Sequence, residues 1–217
     1  CQPDPGAVPD LGVLRQPTGL AVSPIQPVLL VTNGNWDRAE LSSTLVTVDL
    51  AALHRELARP GAAGDTTRPC RRVAEDDPTI ECDDAAFIDP RTSVRLPTGA
   101  GNIATDRPGG PEGPLRLLVP TRSPASITWI DVLAGDAQPR LDCGQDEAQV
   151  CGDDHQISAS PTARLPGEPA RVEVDDQGAR FAYVPHLLGG AMSLIALDGE
   201  RGPELADTEA DFFRTGP

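Results

Sequence analysis

Four cysteines fall into two local pairs. Cys70 and Cys82 enclose Arg71 to Glu81, and Cys143 and Cys151 enclose Gly144 to Val150. Neither pair has the C-x-x-C spacing of a zinc knuckle or a dithiol redox site. Two local disulfides pinning surface loops in an oxidising compartment is the chemistry this spacing favours over zinc or a reactive thiol. Loop closure would make each worth on the order of 2–3 kcal/mol. Both pairs lie in acidic stretches. Asp76, Asp77, Asp83 and Asp84 lie within or beside the first loop, and Asp142, Asp146, Asp153 and Asp154 within or beside the second. Carboxylates crowded in tight loops suit a hard cation, so Ca²⁺ is the metal to consider. No EF-hand or Gly-rich calcium repeat is present, and a solvated acidic surface explains the same residues. The histidines are His54, His155 and His186. None sits in a ligand pair or nucleophile motif. His186 follows a strand and, with Trp36 in the polar loop Asn33-Gly34-Asn35-Trp36-Asp37, is a candidate binding residue. There is no G-x-S-x-G elbow, P-loop or G-x-G-x-x-G. Gly99-Ala100-Gly101 lacks the following helix of a phosphate cradle.

The fifth cysteine is Cys1, followed by the polar stretch Gln2-Pro3-Asp4-Pro5-Gly6. This start resembles a mature bacterial lipoprotein, whose first Cys carries the lipid and precedes a proline-rich tether. The alternative is that the numbering simply begins there. Gln2 is not an Asp-type retention signal, so the resemblance implies an exported, outer-membrane or cell-surface protein, with more than one acyl chain for stable anchoring.

The rest of the 217-residue chain narrows the classes. Its formal net charge is -15, and every one of its 18 basic residues is Arg. Such a surface does not suit a nucleic-acid backbone. No run of about 18 apolar residues exists to span a membrane as a helix. With 23 Pro and 21 Gly, few windows are long enough for helices. Yet 39% of residues are apolar and cluster in short β-rich runs, which argues against disorder.

Those runs repeat. Pro17-Thr18-Gly19 opens a first copy, with Val28-Leu29-Leu30-Val31-Thr32-Asn33 and Ser43-Thr44-Leu45-Val46-Thr47-Val48-Asp49 after it. Leu96-Pro97-Thr98-Gly99 opens a second, with Leu115 to Pro120 and Ala125 to Val132. Leu165-Pro166-Gly167 opens a third, with Arg180 to Pro185 and Ala191 to Asp198. Each copy reads turn, alternating strand, apolar strand, loop, alternating strand ending in Asp: an antiparallel meander. The runs Leu30-Val31-Thr32-Asn33 and Phe181-Ala182-Tyr183-Val184, each with a later strand ending in Asp, resemble the YVTN-type (lactonase-like) β-propeller repeat.

The resemblance implies an all-β chain of three four-stranded antiparallel β-propeller blades, part of a larger propeller. The expected division is a tether over 1–16, blades over 17–96, 97–165 and 166–214, and the start of a further repeat at 215–217. Insertions over about 51–84 and 135–156 follow the third strand and put both disulfide loops on one face. The first contains a possible short helix over 50–58. A strand just before each Leu-Pro turn is the simplest fourth strand. The candidates are Ala85–Ile88 or Thr92–Leu96, then Ile157–Ser160 or Thr162–Leu165, and Asp207–Phe213 in the third copy. Three blades fall short of the roughly 4–8 that close a ring, so the remaining blades would be supplied elsewhere. The implied function is a binding or scaffolding module in an envelope or cell-surface assembly of a Gram-negative bacterium. Its partners would be the membrane, through Cys1, and surface proteins or further blades. A lactonase-like enzyme with a channel site and a calcium-dependent adhesion module are the alternatives.

Overall fold

A computed structural model describes residues 6–36, 40–110, 112–136, 138–158, 165–175, 178–199 and 201–212. Cys1 and residues 215–217 lie outside them, as do most of Thr162–Leu165 and Phe213. The described chain is mostly β, arranged as three antiparallel meanders plus a small hairpin.

In the first meander, β1 (Pro17–Val22), β2 (Val28–Asn33) and β3 (Ser43–Asp49) pair in sequence order. Asp49 then turns the chain into α1 (Leu50–Leu57), its side chain accepting from the Ala52 N–H at 2.8 Å. β4 (Cys70–Arg72) and β5 (Ile80–Cys82) form a hairpin with the two cysteines directly opposite each other. The chain returns to β3 through β6 (Val94–Leu96), immediately before Pro97. β6 is the fourth strand expected within Thr92–Leu96; Ala85–Ile88 forms instead a 3₁₀ turn and a single bridge to Val48.

The second meander holds β7 (Ala104–Asp106), β8 (Leu115–Arg122) and β9 (Ala125–Leu133). Its fourth strand is split. Both β10 (Arg140–Asp142) and β11 (Gln156–Ser158) pair with β9, at different heights. The disulfide loop leaves the sheet between them, so one long β9 edge is covered in two pieces. The third meander is β12 (Glu173–Val174), β13 (Phe181–Pro185), β14 (Met192–Ala196) and β15 (Glu204–Glu209). β15 starts three residues before the expected Asp207. The tight turn in which Gly202 N–H donates to Gly199 O, followed by Pro203, starts the strand at once.

Alternation along the strands gives every sheet two apolar faces, and these stack in one direction. We call them forward and backward. Leu30 and Leu45 on the first sheet's forward face pack with Leu117, Val119 and Ile130 on the second sheet's backward face. Leu118, Ile127 and Trp129, on the second sheet's forward face, pack with Ala182, Val184 and Ile195 of the third. The first sheet's backward face, Val31, Val46 and Val48, lies under Phe87, Ile88, Cys70 and Leu53 of its own insertion. Among the described residues, no further sheet covers the third sheet's forward face, which carries Tyr183 and Leu194.

Candidate functional site

The joints between sheets are built from polar groups, because a strand end buried against a neighbour needs partners for its backbone. Ser43 Oγ donates to Gly34 O at 2.9 Å and accepts from Gly99 and Ala100 N–H at 3.0 and 3.1 Å. Thr32 Oγ1 donates to Gly101 O at 2.7 Å. Gly19 has to be Gly, since a Cβ there would sit 2.7 Å from Gly101 O and 2.8 Å from Asn102 Cα. Asn102 then clasps the third sheet: its Nδ2 donates to Val172 O and its Oδ1 accepts from Val172 N–H, both at 3.1 Å. Buried Asp106 of β7 binds Arg180, whose Nε also donates to Asp198 Oδ1 at 2.8 Å. Hydrogen bonding to Asp106 first, with Asp198 assisting, holds the Arg180 guanidinium charged well above its ordinary range, against partial burial.

The hairpin joining the second and third strands of each meander ends on a buried polar pair. Asn33 Nδ2 donates to Thr44 Oγ1 at 2.8 Å, Thr121 and Ser126 hydroxyls share a bond of 2.5 Å, and His186 Nε2 meets Ser193 Oγ at 2.9 Å. The third contact is diagonal, since Ser193 is register partner to Val184. Ser193 Oγ also bonds Thr208 Oγ1 at 3.0 Å. His186 is therefore the third sheet's version of a repeated internal contact, buried in the fold. Burial pushes its pKa down, and the neighbouring backbone of Gly167 and Pro166 partly opposes this.

Trp36 belongs to the same end of the stack, in the β2–β3 loop. The residue is 43% exposed, with the Arg122 guanidinium 4.0 Å from the ring centroid. Its backbone N–H donates to Gln16 Oε1 at 2.8 Å. Arg122 ends β8, so this cation–π contact joins the first two sheets at their hairpin tips. Exposed Leu187 and Leu188 occupy the corresponding tip of the third. The two sequence candidates thus share one end of the molecule, Trp36 outside and His186 beneath.

The cysteines pair as the spacing predicts, Cys70 with Cys82 and Cys143 with Cys151. They do more than pin surface loops. Cys143 and Cys151 are part of the core between the first two sheets, and Cys70 is part of the core under the first insertion. The second insertion reaches the turn that leads into β6, where Gln149 Nε2 donates to Pro90 O at 2.8 Å and Ser93 O at 2.7 Å. The segment 149–151 also hydrogen-bonds along β6, covering that edge.

The acids are dispersed by local turns. Asp77 Oδ1 accepts from Thr79 N–H at 2.8 Å, and the Thr79 hydroxyl and N–H hold its carboxyl below the usual range. Asp83 accepts from Ala85 N–H at 3.3 Å and Asp84 from Leu14 N–H at 2.5 Å. Asp142 accepts from Gly144 N–H at 3.4 Å and Asp146 from Val150 N–H at 3.0 Å. Asp76 and Asp153 are exposed, and Asp154 lies 3.4 Å from His155 Nδ1. Among the described residues, no three His, Cys, Asp or Glu side chains converge in a group that could hold a metal ion.

Sequence reasoning missed one cleft. Trp129, Asp154, His155 and Arg201 to Glu204 line an open space of about 810 Å³ beside the second disulfide loop. The Trp129 and His155 rings lie 5.2 Å apart, and a Cβ on Gly202, whose φ is +123°, would sit 3.0 Å from the indole. An aromatic wall with carboxylates and a guanidinium can hold a polar ligand. Trp129 reads in sequence as one more strand residue, and only the β14–β15 turn folding over it makes a wall.

No protein-family model matches the chain, and no curated protein matches it either.

Proposed function

We propose that this protein is an exported, lipid-anchored β-propeller-type repeat protein that serves as a binding or scaffolding module in a bacterial envelope or cell-surface assembly. The observation that carries this reading is the recurrence of one antiparallel meander three times with one stacking direction throughout, Gly19 of β1 lying against Gly101 and Asn102 ahead of β7, and β7 against β12. Radial repetition of four-stranded meanders is the propeller plan. The two disulfides support an oxidising compartment. The hairpin-tip end, where Trp36, Arg122, Leu187 and Leu188 are displayed on rigid strands, is the surface suited to recognition.

Purification from the native envelope tests both halves. Intact-mass spectrometry should find Cys1 acylated, and chemical crosslinking should trap a complex that the double variant Trp36→Ala, Leu188→Ser fails to form. An unmodified Cys1 thiol would remove the anchor. A complex indifferent to the tip substitutions would remove the binding face.

A further inference from the structure

The stack has two unequal ends. Its forward end is the third sheet, where Tyr183 is 40% exposed and Leu194, its register partner, is half-buried. Tyr183 and Leu194 hold the positions that Leu118 and Trp129 hold in the second sheet, where the next sheet covers them. The backward end is the first sheet. Leu29, Val31, Val46 and Val48 there correspond to Leu117, Val119, Thr128 and Ile130, the face the second sheet turns toward its predecessor. The two outer faces of the described stack are thus the two halves of an interface that the molecule already builds twice internally.

The backward half is shut. α1 and the β4–β5 hairpin close over Val31, Val46 and Val48, leaving only Leu20 (63%) and Val22 (64%) of β1 exposed on that face. The forward half is rimmed by carboxylates, Asp207 opposite Leu194 and Glu209 opposite Met192, while Glu173 opposite Tyr183 is paired with Arg171. Two copies meeting through their third sheets would bring these acids together, so face-to-face pairing is opposed. A head-to-tail contact has no such penalty, but it does not close and would propagate.

We propose that the disulfide-pinned segment 50–88 is a stop cap: it occupies the backward face of the first sheet, where the third sheet of a second copy of this chain would otherwise dock. The inference rests on the stacking direction and on the cover over the first sheet; it needs no anchor, and it ends the stack at the first sheet rather than continuing it around a closed ring. The cap is separable, because it springs from a paired position. Asp49 N–H donates to Phe87 O at 2.8 Å, and Val48 faces Ile88. A two-residue Asn-Gly turn can join Asp49 to position 87 in place of residues 50–86, and Phe87→Thr with Ile88→Thr in the same shortened chain removes the rest of the cover.

Sedimentation velocity of the lipid-free protein over a range of concentrations provides the test. Wild type should remain monomeric. The shortened chain should form dimers and larger species as concentration rises, and adding Leu194→Arg to it should restore the monomer. A folded shortened chain that stays monomeric would overturn the proposal, as would oligomers that Leu194→Arg leaves unchanged. If the shortened chain does not fold, the full-length double variant Leu53→Asp, Phe87→Ser loosens the cap in place, and the same two outcomes decide.

Discussion

The clasp between the second and third sheets gives the sharpest mutational test. Val172 is fully buried, so water cannot replace a lost partner for its backbone. Asn102 satisfies both its N–H and its C=O, each at 3.1 Å. Asn102→Ala orphans the two groups together. Each stranded buried polar group costs ~1–3 kcal/mol, so the substitution should cost about 3 kcal/mol once the site relaxes. In a chain of this size 1 kcal/mol moves Tm by ~2–4 °C, which puts the drop at about 6–12 °C. Urea unfolding followed by tryptophan fluorescence in a Trp36→Phe background is the assay, because the remaining indole, Trp129, lies in the core between the two sheets. The midpoint should fall with little change in m. Asn102→Asp provides a control with nearly the same shape. It keeps the acceptor for Val172 N–H but sets a carboxylate against Val172 O, so its loss should shrink as acid protonates the carboxyl and restores a donor. A Tm for Asn102→Ala within about 2 °C of wild type would refute the argument.

Three further outcomes follow from the same contacts. Burial lowers the pKa of His186 from 6.5, so the unfolded chain binds its proton more readily; its contribution to stability is complete above about pH 6.5 and declines as the pH falls toward the folded value. His186→Asn, which copies Asn33, should flatten that slope between urea midpoints at about pH 7.5 and 5.5, whereas His186→Ala should cost about 2–3 kcal/mol at neutral pH. Gly19→Ala should cost ~1–3 kcal/mol by thermal melting, because the backbone atoms it meets belong to the neighbouring sheet's approach. Replacing Cys143 and Cys151 by Ser should cost at least about 2.5 kcal/mol by calorimetry, and should destabilise the whole stack since both sulfurs lie in the core between the first two sheets.

The meanders were legible because alternation and turn residues are local signals. Leu45, Thr47 and Val46, Val48 sort to opposite faces by their spacing alone. The strand before Leu96-Pro97 was legible for the same reason. The split edge of β9 was not, because β10 and β11 are held by a long-range choice of partner across the disulfide loop. β15 was displaced by the turn at Gly199–Gly202, whose tightness depends on packing against Trp129. His186 stood out as a loop histidine. Only its diagonal contact with Ser193, the register partner of Val184, shows that it repeats the roles of Asn33 and Thr121. The acidic loops suggested a metal by composition, but composition cannot say which carboxylates turn inward, and most of these serve neighbouring backbone N–H groups instead. The cap over the first sheet was hidden because α1 is half-buried on one side only, and a short helix in an insertion carries no mark of what it covers.

The central claim is the order and direction of the stack, and methyl–methyl NOE spectroscopy on Ala-, Ile-, Leu- and Val-labelled protein tests it most directly. Cross-peaks should join Leu30 and Leu45 to Leu117 and Val119, Leu118 and Ile127 to Val184 and Ile195, and Val31 and Val46 to Leu53 and Ile88. Leu194 should show none to the first or second sheet. Cross-peaks from Leu194 to Val31 or Val46, or from Leu30 to Ile195, would contradict the account.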